Sequence, residues 1–165
     1  MAFGNTVKDG SGAAYWLLVD SSGRLMLGNS YSASVQSDVT NDDSDKTFTV
    51  PASTEWIIKA IRITFTSTAT AGNRQLVVQY RDDSDNVLFE VRVGAVQAAS
   101  LTRYYQLADG MPNMTAFIDT DYLSTPLPQG ITLPAGYDVR VYDKAAVAAA
   151  ADDMHVRMII ESRPV

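Results

Sequence analysis

The chain has 165 residues, no cysteine and a formal net charge of −6, with 46% apolar and 19% charged residues. That length suits one domain with a sizeable core, and the lack of cysteine excludes disulfides and thiolate metal sites. The acidic balance, without any cluster of Lys and Arg, argues against nucleic acid as a partner. No apolar run approaches the ~20 residues that a membrane-crossing helix needs. The first residues also lack the basic and apolar regions of a signal peptide. No membrane partner is expected, and synthesis in a cytoplasm fits.

Residues 1–30 predict a hairpin. Ala14-Tyr-Trp-Leu-Leu-Val19 is a mostly apolar strand, and Arg24-Leu-Met-Leu27 returns as its partner. Between them, Asp20-Ser-Ser-Gly23 has Asp first and Gly fourth, as type I turns prefer. A lone hairpin is marginal in water, so this one must dock on the main body or on another molecule. Residues 28–50 are polar, and their Ser, Asn and Asp side chains compete for backbone hydrogen bonds, which disfavours helix. A linker or loose edge strand is expected there, followed by an extended segment at Lys46-Thr-Phe-Thr-Val50 that ends at Pro51. The chain thus divides into an arm with its hairpin and polar linker over 1–50, and a body over 51–165.

Within residues 54–92, apolar and polar residues alternate with period two. Ile61, Ile63 and Phe65 form one set; Leu76, Val78 and Tyr80 a second; Val87, Phe89, Val91 and Val93 a third. Three such runs closed by turn-rich segments predict a three-stranded antiparallel meander with one buried face. Lys59 interrupts the first run. A β-bulge near Ala60, which keeps Trp56 and Ile58 on the buried side, is favoured over placing Lys59 at the mouth of the sandwich. Beyond the meander, 94–100 reads as a helical turn or loop, and 101–107 and 114–120 as a fourth and fifth strand. Residues 121–130 carry Pro126 and Pro128 and read as a loop. Ile131-Thr-Leu133 is a short extended piece, and 137–142 a strand. The Ala-rich 143–152 reads as one or two helical turns. Met154, Val156, Met158 and Ile160 mark the last strand. About eight short strands separated by turns predict an all-β fold: an antiparallel β-sandwich, jelly-roll-like, preceded by an extended N-terminal arm with a hairpin.

No catalytic constellation emerges. Asp82-Asp-Ser-Asp-Asn86 lacks the glycine and twelfth-position glutamate of a calcium loop and fits a hairpin turn. Asn41-Asp-Asp-Ser-Asp45 reads the same way. His155, the one histidine, falls on the polar phase of the last strand, and no Gly-x-Ser-x-Gly elbow accompanies it. Paired carboxylates such as Asp152 and Asp153 sit in turns, where Asp is the default. Trp16, Trp56, Tyr104, Tyr105, Tyr122 and Tyr142 can supply core, protein contact or a sugar surface. One of Tyr104 and Tyr105 must face outward, and Tyr142 is on the polar phase of its strand. No enzyme activity and no cofactor are expected.

Four segments resemble small structural proteins of tailed bacteriophage virions, the cement or decoration type. They are Asp9-Gly-Ser-Gly-Ala-Ala-Tyr-Trp-Leu-Leu-Val-Asp-Ser-Ser-Gly-Arg-Leu25, Gly72-Asn-Arg-Gln-Leu-Val-Val78, Leu133-Pro-Ala-Gly-Tyr-Asp-Val-Arg-Val-Tyr-Asp143 and Ala148-Ala-Ala-Ala-Asp-Asp-Met154. The resemblance implies a β-sandwich on the outer capsid surface, bridging neighbouring copies of a major capsid protein and acting as a homo-oligomer, dimer or trimer. It also leaves a place in the tail or a head fibre, where the sandwich would bind host carbohydrate. The candidate interaction surface comprises Tyr15, Trp16, Leu17, Val19, Arg24, Leu25 and Leu27 of the hairpin, with Tyr104 and Tyr142 of the body.

Overall fold

A computed structural model describes residues 31–42, 45–119, 121–148 and 151–164, together with the strand backbone at 5–8, 14–19 and 25–26. Thirteen strands run in chain order: β1 (Asn5–Lys8), β2 (Ala14–Val19), β3 (Leu25–Met26), β4 (Ser32–Asp38), β5 (Lys46–Thr49), β6 (Thr54–Thr66) and β7 (Leu76–Arg81). They continue as β8 (Val87–Arg92), β9 (Thr102–Ala108), β10 (Tyr122–Pro126), β11 (Thr132–Leu133), β12 (Asp138–Asp143) and β13 (Asp153–Pro164). Among the described residues there is no helix.

Two sheets form the body. One has the order β10-β9-β6-β13-β4, with β11 added beside β6; the other has the order β5-β12-β7-β8. The chain crosses between them repeatedly, staying in one sheet only from β7 to β8 and from β9 to β11, so that β4-β13-β6-β9 faces β5-β12-β7-β8. That is the double Greek-key order of a jelly roll. The all-β sandwich expected from the alternation is therefore what the chain forms, with β10 as an extra edge strand. β1, β2 and β3 make a third sheet that pairs with no described strand of the sandwich. β2 and β3 are the two strands of the expected hairpin, and β1 is an addition to it.

The core fills the space between the two sheets. β6 contributes Ile61, Ile63 and Phe65; β13 contributes Met154, Val156, Met158 and Ile160; β7 and β12 answer with Leu76, Val78, Tyr80, Val139 and Val141, all buried. Each fully buried aliphatic side chain stabilises the fold by about 1.5–3 kcal/mol relative to exposure. The bulge expected near Ala60 is present. Ile159 pairs with Ala60 and Ile160 with Ile58, so Lys59 is the extra residue. The inserted residue resets the phase: Trp56 and Ile58 are buried below it, and Ile61, Ile63 and Phe65 above it.

Several local expectations are corrected. Residues 54–92 are not a meander: β6 pairs with β13 and β9, and only β7 and β8 are hairpin partners. The connection from Ser67 to Gln75 is too long for a tight hairpin and instead carries the chain to the opposite sheet. On β8, Phe89 pairs with Tyr80 but is exposed on an edge strand, and a register shift sets Val87, also exposed, opposite Arg81. Within the stretch read as a fifth strand, residues 114–119 form no strand, whereas β10 lies in the segment read as a loop. Pro126 is tolerated there because β10 is an edge strand and Pro126 is its last residue. β10 runs parallel to β9, a departure from the otherwise antiparallel pairing. The described residues of the Ala-rich segment make turns, not helix: the amides of Ala151 and Asp152 both donate to the Ala148 carbonyl, at 2.8 and 3.1 Å. The stretch read as a linker or loose edge strand is edge strand β4, which joins β13 from Ser32 to Asp38, and β5 joins β12. The sheets thus extend across the boundary expected at Pro51.

Candidate functional site

The outer face of the larger sheet is built in rows, because residues in register on neighbouring strands point the same way. One row reads Val35, Ile159, Ala60, Ala108 and Pro126 across β4, β13, β6, β9 and β10, and it is apolar throughout. The next reads Ser37, Arg157, Arg62, Gln106 and Ser124; the third is His155, Thr64, Tyr104 and Tyr122. Val35 is 63% exposed and Ile159 49%, values that leave apolar area in water on an ordered strand pair. A groove of about 320 Å³ runs along this row, lined by Val35, Ala60, Met111 and Ile159, with Arg62 and Arg157 on its rim. A cavity of about 170 Å³ adjoins it, lined by Arg62, Thr64, His155 and Arg157.

Arg62 and Arg157 are directly opposite each other on β6 and β13. Like charges so placed oppose folding. The other six described arginines each pair with a carboxylate. Among the described residues, Arg62 and Arg157 have no such partner. Arg62 stands over the Tyr104 ring, 5.5 Å from its centroid, and Tyr104 stacks on Tyr122 at 4.9 Å. His155 Nε2 is 2.6 Å from Asn41 Oδ1, which fixes the ring at the edge of this face.

On the outer face of the smaller sheet the arginines pair with carboxylates of the chain itself. Arg81 grips Asp138 with two bonds of 2.8 Å. Gln79 donates to Glu90 at 2.7 Å and to the Tyr142 hydroxyl at 3.2 Å. Arg92 pairs with Glu90, and Arg140 pairs with Asp45 while lying over the Tyr142 ring. The hydrogen bond from Gln79, then the one from Arg92, hold the Glu90 carboxyl below its ordinary range.

At one end of the sandwich, Arg74 and Asp152 form an ion pair with both side chains fully buried. Arg74 Nε donates to Asp152 at 2.7 Å and its Nη1 donates to the carbonyls of Thr70 and Gly72, both at 2.9 Å. The Thr68 amide and hydroxyl complete the Asp152 shell at 2.6 and 2.7 Å. Burial opposes ionisation of Asp152, but the bonds from Arg74 and Thr68 outweigh it and hold the carboxyl below its usual range. Gly72 lets the loop close there: a Cβ on it would stand 2.7 Å from a Val147 methyl. This is an anchor between two loops, and its saturated shell leaves nothing free for chemistry.

The sequence-derived candidates divide as follows. Tyr15, Trp16, Leu17 and Val19 lie on β2 and Leu25 on β3, paired with Val7, Thr6 and Asn5 and, for Val19, with Leu25 itself. Arg24 and Leu27 lie outside the described residues. Tyr104 faces outward on the larger sheet while Tyr105 is buried, with its hydroxyl donating to Gln97 at 2.9 Å. Tyr142 is on the opposite sheet, so Tyr104 and Tyr142 do not share a surface. Trp56 is core. Asp82 uses both carboxylate oxygens on its own turn, accepting from the amides of Ser84 and Asn86 and from the Asn86 side chain, each at 2.9 Å. Those Asn86 bonds hold Asp82 below its ordinary range. Asp42 and Asp45 pair with Lys46 and Arg140. Among the described residues no group of three His, Asp or Glu side chains can hold a metal ion.

The arginine pair escapes sequence reading because its members sit on strands far apart in the chain. The one available signal is an arginine on the polar phase of each strand with no acidic residue two positions away.

No protein-family model matches the sequence, and no curated protein matches it. Among solved structures it is similar to a chain in the structure of infectious bursal disease virus, Gx strain, at 11% identity and a TM-score of 0.27. The overlap covers 81% of this chain and 32% of the viral one, so the chain spans about a third of the length of that neighbour. A likeness this slight carries neither fold nor function.

Proposed function

We propose that the protein is a non-enzymatic structural component of a tailed-phage virion, a cement or decoration protein that binds the outer capsid lattice and bridges neighbouring major capsid subunits. The observation that carries this reading is the small sheet β1-β2-β3, which precedes the jelly roll and pairs with none of its described strands. Strands of four, six and two residues are too short for a sheet that is stable alone in water. Such a unit gains its stability by seating on a lattice or a sister subunit, where buried area offsets the entropy of ordering it. The resemblance in residues 9–25 points to the same role, and an acidic protein is suited to the outside of a shell filled with DNA.

The test is removal of residues 1–30 followed by measurement of occupancy on purified capsids. Loss of binding with an intact, folded sandwich supports the reading; full occupancy by the truncated protein refutes it. Copy number per virion separates the alternative: hundreds of copies fit a cement, whereas a handful fit a tail or head-fibre module that binds host carbohydrate.

A further inference from the structure

We propose that the outer face of the β10-β9-β6-β13-β4 sheet is a docking site for an extended acidic protein segment, whose carboxylate is held between Arg62 and Arg157 while a neighbouring apolar side chain enters the Val35–Ile159 groove. None of the residues named here belongs to β1, β2 or β3, so its test is distinct from removal of those strands.

Three observations converge on it. First, two exposed arginines are partners in register on β6 and β13 without an acidic partner among the described residues, in a chain where the other described arginines are all paired. A planar carboxylate accepts parallel bonds from such donors and cancels their mutual repulsion. Second, the nearest in-register acids are turned elsewhere or distant: Glu161 is two residues beyond Ile159 and 3.6 Å from Lys59, and Asp153 is two residues beyond His155. Third, the arginine row and the apolar row lie two residues apart along β13, a spacing of about 6.6–6.8 Å. An extended segment repeats its side chains on one face at that same spacing. An apolar residue and an acidic residue two positions apart therefore meet both rows at once. Polyphosphate is disfavoured as the occupant because the protein carries a net charge of −6 and the site presents only two guanidinium groups.

The site is tested by NMR titration of the full-length protein with the blocked peptide acetyl-Ser-Leu-Ser-Asp-Ser-amide. Saturable shifts are expected at Val35, Arg62, Arg157 and Ile159. Replacing the peptide Asp by Asn, or making the Arg62→Gln/Arg157→Gln double variant, weakens binding at least about fivefold, as loss of charge-assisted pairs at a surface requires. The melting temperature of that double variant stays level or rises, which shows that the fold survives. Equal binding of the Asn peptide overturns the proposal, as do shifts scattered away from this face. Tighter binding of a hexathymidylate through the same residues identifies a phosphate site instead and also overturns it. Concentration-dependent shifts at these residues without peptide assign the face to a second copy of the chain and do the same.

Discussion

The two outer faces of the sandwich are built from similar residues and arranged to opposite ends. On the smaller sheet, Arg81, Arg92 and Arg140 each pair with a carboxylate, and Gln79 links Glu90 to Tyr142. On the larger sheet, Arg62 and Arg157 oppose each other and an apolar row lies bare beside them. A face that closes its own charges gains stability and offers little to a partner. A face that leaves like charges opposed gives up some stability and gains by taking on an anion. The difference is what singles out the larger sheet's outer face for the docking proposed above.

The buried end of the sandwich sets the upper limit of what pairing contributes here. Asp152→Ala leaves Arg74 charged and enclosed, and it is expected to destabilise by about 3–5 kcal/mol in urea denaturation. A loss below about 1 kcal/mol, the scale of an exposed pair, would show that this pair is no anchor. The same carboxyl gives a pH signature. Its pKa is lowered in the folded state, so its contribution is present above its unfolded value near 3.8 and is lost as pH falls through the folded value. Asp152→Asn is expected to flatten the fall in stability below about pH 4, read from urea midpoints at successive pH values.

On the closed face, Asp138→Asn strips Arg81 of its two-bond partner while both sites remain largely shielded. The expected loss is about 1–3 kcal/mol in thermal or urea unfolding. On the open face the sign changes. Arg62→Gln removes a like charge opposite Arg157 and is expected to alter stability by no more than about 0.5 kcal/mol, in the stabilising direction. If Arg62→Gln destabilises as much as Asp138→Asn, the two faces are energetically alike and the contrast between them fails.

The core was legible in the sequence because strand alternation depends only on local phase. The phase of β6, β7, β12 and β13 identifies the buried Ile63, Val78, Val141 and Met158 directly. Lys59 announced the bulge because it broke that phase. Sheet membership was not legible: Ile61, Ile63 and Phe65 alternate identically whether β6 pairs with β7 or with β13. Burial at the edge was equally hidden, since Phe89 keeps the core phase but lies on an edge strand, and a register shift sets Val87 opposite Arg81. The loop carrying Pro126 misled for a related reason, because a proline forbids a central strand but not an edge. The open face required two rows to be brought into register from distant strands, which no local pattern encodes.

The antiparallel ladder between β4 and β13 carries one further consequence. Ser32 and Ser162 are partners across it, and the Ser32 hydroxyl donates to the Ser162 carbonyl at 3.3 Å. The sandwich is thus entered and left at one corner, with the two backbones about 4.5–5.5 Å apart. A short peptide can bridge Arg163 to Tyr31, and the chain can be reopened at the exposed Asp82–Asn86 turn without cutting a strand pairing. The jelly roll is in this sense a ring of strands with a movable opening. Its threading order is free to change while its layers stay fixed.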